Sequence, residues 1–321
     1  MCYSFTEYPQ ITIKLKDTAM IADSKIIEIY SLADDFCKFF SQTIKKHQLC
    51  SPKKTREYHR CSTLSDAEVI TIIVLFHLKG YRCMKHFYLN YVCVHMKNTF
   101  PKTVSYNRFV ELQQSVVLPL TLFIKEVLMG KCTGITFIDS TPLRVCKNQR
   151  IHTHKVFKGI ATRGHCSIGW FFGFKLHLIC NEKGELLNFA FTAANVDDRQ
   201  VLDYDSFLKK IKGKLVGDKG YLSQKLFEKL FIDGIQLLTK LRKNMGNSLL
   251  SAYDKVLLRK RAIIESINDE LKNICQIEHS RHRSFGGFIT NSLAAIAAYC
   301  FLPKKPSINI QFESHSQLTL F

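Results

Sequence analysis

Thr136-Phe137-Ile138-Asp139-Ser140-Thr141 decides the reading of this chain. Its apolar run predicts a short strand that ends on the Asp139 carboxylate, with Pro142 breaking the chain just beyond. Leu215-Val216-Gly217-Asp218 repeats the pattern, and Asp218 lies 79 residues after Asp139. Glu265 follows 47 residues later, in Arg261-Ala262-Ile263-Ile264-Glu265, within a segment of helical periodicity. A lone Asp at a strand end is ordinarily a turn or cap residue. Three acids placed in this order outweigh that explanation.

The texture around these acids is that of an α/β fold. Strands are predicted at Ile135–Asp139, Gly169–Cys180, Leu186–Thr192, Leu215–Gly217 and Ile235–Thr239, with helices from Asp197-Asp198-Arg199 and over Ser223–Phe231. A helical stretch from about Leu250 to Tyr299 follows. Three consecutive strands, then helix, strand, helix, strand and helix, is the order of an RNase H-like mixed sheet flanked by helices. On adjacent central strands of such a sheet Asp139 and Asp218 meet, and a helix crossing it brings Glu265 to the same point.

Before Gly130 the chain reads as helical. Apolar positions from Ser24 to about His47 recur at helical spacing, and a polar, basic linker follows over 52–60. Ser65 and Glu68 form a capping box, with Leu64 and Val69 as the hydrophobic staple of a helix that stops at Gly80. After an aromatic, basic segment, Pro101 breaks the chain and Ser105 caps a helix from Tyr106 to about Gln114. That helix carries Asn107 and Arg108 on its first turn, where a recognition helix presents side chains to base edges. The expected layout is a helix-turn-helix-like DNA-binding region at 1–130, the α/β domain at 131–303 and a flexible tail at 304–321.

Forty-six Lys and Arg against 27 Asp and Glu give a formal charge of +19, which implies a polyanionic partner, nucleic acid before a membrane surface. The longest apolar runs are too short to span a bilayer, and the N-terminus lacks the features of a signal peptide. The expectation is a cytoplasmic, nucleoid-associated protein. Twelve cysteines include no C-x-x-C pair, so zinc lacks its chelating hairpin and the thiols read as buried small hydrophobes.

Three hard oxygen donors without His or Cys at fixed spacing suit Mg²⁺, with Mn²⁺ as a substitute. Two such ions would serve an in-line displacement at phosphorus. Arg261, Glu265, Asn268 and Lys272 share one helix face, so bases flank the acid. From Ser140 to Asn181 there is no Asp or Glu, but there are seven Lys or Arg and four His. Arg144, Lys147, Arg150, Lys155 and Lys158 in this stretch are expected to hold the phosphate backbone. Trp170, the only tryptophan, is expected in the core, with stacking on an unpaired base as the alternative.

Phe137-Ile138-Asp139-Ser140-Thr141, Ala194-Asn195-Val196-Asp197-Asp198-Arg199, Gly217-Asp218-Lys219-Gly220-Tyr221, Arg261-x-x-x-Glu265-x₆-Lys272 and Glu278-His279-Ser280-Arg281-His282-Arg283 resemble motifs of bacterial insertion-sequence DDE transposases. The resemblance spans roughly residues 60–300. It implies that Asp139, Asp218 and Glu265 form the catalytic, metal-binding triad, and that Arg261 and Lys272 contact DNA. It further implies cleavage at the element's terminal inverted repeats, joining of 3′-OH ends to target DNA, and a homodimer on double-stranded DNA. Where some relatives carry a tyrosine, this chain has Leu258. A structure-selective nuclease of the same fold and a catalytically idle DNA-binding derivative are the two other readings.

Overall fold

The computed structural model describes residues 23–47, 62–167, 169–240, 250–278 and 282–309. The linker expected at 52–60, three residues of the late His-Ser-Arg motif and most of the expected tail lie outside them.

Six strands form one mixed sheet: β1 (Ile135–Cys146), β2 (Thr162–Cys166), β3 (Gly169–Asn181), β4 (Leu186–Ala193), β5 (Gly213–Val216) and β6 (Ile235–Leu238). β1 lies at the centre, antiparallel to β3 on one side and parallel to β5 on the other, and β6 continues parallel beyond β5. β4 and β2 share the outer edge of β3, β4 along Phe174–Cys180 and β2 along Gly169–Gly173.

β1 does not end at Asp139. It stays paired with β3 as far as Cys146, opposite Phe172, whereas β5 covers only Ile135–Phe137. Beyond that point one edge of β1 is open, and a strand with an open edge tolerates a residue without an N–H, such as Pro142. Asp139 is therefore inside a strand, at the place where the neighbouring strand runs out. β2 is absent from the expected strands, because Thr162-Arg163-Gly164-His165-Cys166 has no apolar alternation. Pairing with β3 makes it a strand. Gly164 permits its close approach to the chain just after β4, since a Cβ there would lie 2.2 Å from the Ala194 carbonyl oxygen.

The C-terminal stretch expected as one helical run is three helices, Ala252–Lys260, Ala262–Asn273 and Phe285–Cys300. Gln276, with φ 54°, turns the chain after the second. The second packs Ile263, Ile264, Ile267 and Leu271 on the β1 face that carries Phe137. The third runs back into the N-terminal helices, where Thr290 Oγ1 donates to the Gln113 carbonyl at 3.1 Å.

The N-terminal region is mainly helical: Asp23–His47, Asp66–Leu78, residues 84–95, Tyr106–Ser115 and residues 117–128. The Ser65–Glu68 capping box forms as expected. The helix it starts is apolar all round and is buried from Val69 to His77, as such a composition requires. The aromatic, basic segment forms a helix over residues 84–95, wound as a π-helix over Phe87–Val92, where Phe87 and Tyr91 stack at 5.5 Å. One apolar core joins these helices, the Phe285–Cys300 helix and one face of the sheet. A smaller core, including Ile138, Val201, Leu202, Tyr221 and Leu226, covers the other face. No helix among the described residues is long and apolar enough to cross a membrane.

Candidate active site

The register of two parallel strands positions the first two acids. Phe137 on β1 lies opposite Val216 on β5, so two further residues along each chain give Asp139 and Asp218. With a side-chain period of two, Asp139 follows the face of Phe137, and Asp218, two residues past the end of β5, lies near enough for its charge to act on Asp139. After Val216 the chain stays extended, with the Gly217 N–H donating to the Leu238 carbonyl at 2.9 Å. It then turns through Lys219–Tyr221, where the Tyr221 N–H donates to the Asp218 carbonyl at 3.0 Å. The Tyr221 ring is buried beneath this turn. A Cβ at position 217 would lie 3.1 Å from that ring and 3.2 Å from Ile138 Cγ2. Gly217 and Tyr221 thus anchor the turn that presents Asp218, a role the motif does not reveal.

Glu265 reaches the same face through its helix. Arg261 Nη1 lies 3.5 Å from Asp139 Oδ1, and Arg261 Nη2 donates to Glu265 Oε1. Asn268 Nδ2 donates to Asp139 Oδ2 at 3.0 Å. One guanidinium therefore ties the first acid to the third across 126 residues of chain. Spacing places Asn268 on this helix face without marking it as a site residue. Its one-turn offset from Glu265 is the signal that could have found it.

Burial pushes the Asp139 carboxyl up to about 6. The Arg261 charge and the Ser140 N–H oppose this, while the Glu265 and Asp218 charges add to it. Glu265 keeps 57% of its side chain exposed against 21% for Asp139, and Asp218 is exposed. The site is open on the Glu265 side.

The helix carries two further acids. Asp269 is exposed and accepts from the Asn273 amide. Glu270, five residues on from Glu265, is turned partly inward: Oε2 is buried, and burial, followed by the Asp269 charge, raises its carboxyl. Its place just before Leu271, on the packed side of the helix, is the reason. Among the described contacts only Glu265 is joined to Asp139.

Among the described residues no three His, Cys, Asp or Glu side chains converge closely enough to hold a metal ion. The positive charge between Asp139 and Glu265 comes from Arg261. The donors themselves, three carboxylates with like charges raising one pKa, fit a hard divalent cation.

Arg144, Lys147, Arg150, Lys155 and Lys158 are all exposed, as is Arg163. Two basic residues of the same stretch are not available to a partner. Lys175 is 13% exposed and donates to Asp198 Oδ1 and to the Val196 carbonyl, both at 2.8 Å. His177 is fully buried, with Nε2 2.8 Å from Thr192 Oγ1. Both sit on β3 where β1 and β4 cover its two edges. Lys272 pairs with Glu278 at 3.8 Å, and Glu278 Oε1 accepts from the Arg144 N–H at 3.1 Å. The far end of the Glu265 helix is thereby joined to the start of the basic stretch. Asn107 and Arg108 are exposed, and Arg108 pairs with Glu111 at 2.7 Å. Trp170, expected in the core, is 65% exposed. It sits at the start of β3, beyond the reach of β4, where β2 is the strand that pairs with it.

The architecture is a mixed α/β sheet flanked by helices, with one acid on β1, one just past the end of neighbouring β5 and one on a crossing helix. Residues 129–285, just under half of the chain, match the family model described as "Transposase DDE domain". All three acids and the basic stretch lie within it. No curated protein matches the chain. Among solved structures, the piggyBac transposase synaptic complex with hairpin DNA aligns at 11% identity, covering 87% of this chain and 72% of that one, with a TM-score of 0.44. The Mos1 strand transfer complex aligns at 10% identity, covering 83% of each chain, with a TM-score of 0.26.

Proposed function

We propose that the chain is a transposase that cleaves phosphodiester bonds at the ends of its insertion sequence and joins the freed 3′-OH ends to target DNA. The observation that carries this reading is the join of Asp139 to Glu265 through Arg261, with Asp218 nearby, within the segment that matches a transposase DDE domain. Asp139, Asp218 and Glu265 would hold Mg²⁺ or Mn²⁺, two ions in the reading of the sequence. Bound there, divalent metal supplies activation of the attacking hydroxyl and charge stabilisation at the leaving oxygen.

The protein's own part is positional. The β1–β5 register and the Gly217–Tyr221 turn hold two carboxylates on a rigid sheet, so little reorganisation accompanies the chemistry. Arg261 and Asn268 fix the Asp139 carboxylate from the helix side. Arg261, released from the Asp139 and Glu265 oxygens that would hold the metal, would be free to turn to a phosphate. The exposed Arg144, Lys147, Arg150, Lys155 and Lys158 then track the DNA backbone leading to the acids. Residues 1–130 serve as the DNA-binding region, with Asn107 and Arg108 toward the duplex. Two ends must be held together for joining, so the active form is a homodimer on DNA in the cytoplasm.

The test is cleavage of a labelled element end in Mg²⁺ by the Asp139→Ala and Asp218→Ala variants. Each is expected to abolish cleavage while binding the same DNA, because it removes a metal ligand and no DNA contact. Residual nicking above about a hundredth of wild type would sink the assignment, since losing a metal-ion contribution costs several kcal/mol. Wild-type cleavage without joining of the 3′ end to a second DNA would favour the nuclease reading.

A further inference from the structure

A protein with 24 Phe and an extensive apolar core places its only tryptophan outside that core. Trp170 is 65% exposed at the start of β3, on the β2–β3 hairpin. It is nonetheless held firmly. Its carbonyl accepts from Asn148 Nδ2 at 2.8 Å, and the His165 ring meets its ring edge-to-face at 5.3 Å and 73°. His165 is its cross-strand partner, and Arg163 lies two residues away on the same face of the hairpin. Asn148 opens the turn Asn148–Arg150, which brings Lys147 and Arg150 to the same neighbourhood. Lys147, Arg150, Arg163 and His165 are all exposed, and the chain from Ser140 to Asn181 contributes no carboxylate.

A large, exposed aromatic face with basic residues on the adjoining turn and strand is complementary to one chemistry in particular. A nucleobase offers a flat π-face, and its phosphates meet the surrounding bases. In paired, stacked DNA that face is covered, so the occupant is a base without a partner. Position sets where on the DNA it would lie. Asp139 pairs with Leu178 on β3, eight residues from Trp170, which is roughly 26 Å along the strand at about 3.3 Å per residue. The site is therefore well removed from the carboxylates.

We propose that Trp170, with His165 beside it and Asn148, Arg150 and Arg163 around it, stacks on an unpaired DNA base at a distance from the reacting phosphate. The proposal rests on the DNA-binding reading above, and the experiment separates the two. The chain has a single tryptophan, so indole emission from the full-length protein reports this site alone. Emission is followed on titration with single-stranded oligothymidylate and with a duplex closed at both ends by non-nucleotide linkers, which offers no unpaired base. Fluorescence anisotropy of the same labelled DNAs measures binding independently.

Single strands are expected to quench the indole strongly and the closed duplex weakly. Trp170→Ala should weaken single-strand binding about tenfold and closed-duplex binding less than about twofold, while Trp170→Phe retains most of the affinity. Binding of single strands by anisotropy with unchanged emission would overturn the stacking site and leave the DNA reading standing. An absence of binding to either DNA would overturn both. Emission that shifts with protein concentration alone would assign Trp170 to a contact between copies of the chain, and the proposal would fall. The wild-type titration needs no substitution, so these outcomes do not depend on a variant folding.

Discussion

Asp139 and Ser140 are neighbours in the chain and lie on opposite faces of the sheet. On the Asp139 face, Arg261 and Asn268 hold a carboxylate beside two others that remain open to solvent. On the Ser140 face, Ser140 Oγ donates to Asp198 Oδ2 and Lys175 donates to Asp198 Oδ1, each at 2.8 Å. Both faces pair acids with bases. The first leaves oxygen atoms for something else to use, and the second is closed by its own partners. Residue type does not separate the two faces. The exposed Glu265 and Asp218 beside Asp139 do.

The sharpest way to break this comparison is to neutralise one acid on each face. Glu265→Gln is expected to lower cleavage and joining about a hundredfold or more, with urea stability close to wild type, because its side chain is largely exposed. Glu270→Gln and Asp269→Asn, on the same helix, should cleave within a few-fold of wild type. A dead Asp269→Asn beside an active Glu265→Gln would move the third acid by one turn of helix.

The same contrast applies to the bases. Lys175 is engaged inside, whereas Lys147, Arg150, Lys155 and Lys158 stand outside. Replacing those four with alanine should weaken binding to every DNA sequence alike. The salt dependence should flatten by up to about 0.9 log unit for each phosphate that is no longer neutralised. An unchanged slope in a salt titration would show that this surface faces away from DNA.

The closed parts of the molecule should register in stability instead. Burial lowers His77 and His177 to about 4, against a usual 6.5. Both must stay neutral in the fold, so the unfolded chain binds more protons between those values. Stability is complete above about pH 6.5 and is lost as pH falls toward 4, by up to roughly 3 kcal/mol for each. The raised Asp139 carboxyl works the other way over part of this window, gaining stability as pH falls through 6. Urea midpoints across that range, for wild type and for a His77→Gln variant that loses its share of the slope, check the sign. The smallest effect belongs to Asp198→Asn. It replaces the Lys175 ammonium's carboxylate partner with a neutral amide and should cost about 2 kcal/mol, with DNA binding unchanged.

Much of this was legible along the chain. The capping box at Ser65, the helix from Tyr106, the core of β1 and the long β3 all follow from local periodicity and cap chemistry, which act over a few residues. Arg261, Glu265 and Asn268 share one helix face by spacing alone. Other features were hidden for physical reasons. β2 has no apolar alternation and exists because β3 offers it an edge. Pro142 stays in β1 because β5 stops short of it. The burial of Lys175 and His177 depends on which strands flank β3.

The sequence by itself therefore determined the segments, their charge and the three acids worth watching, since each is written in short-range pattern. Tertiary structure decided which side chains meet. The pairing of Phe137 with Val216 brings two acids near each other, and Arg261 joins the third from 122 residues away. It also decided that Trp170 stands outside the core. An indole has the same hydrophobicity in either place, and only the tertiary fold decides whether another layer packs over its face of the sheet.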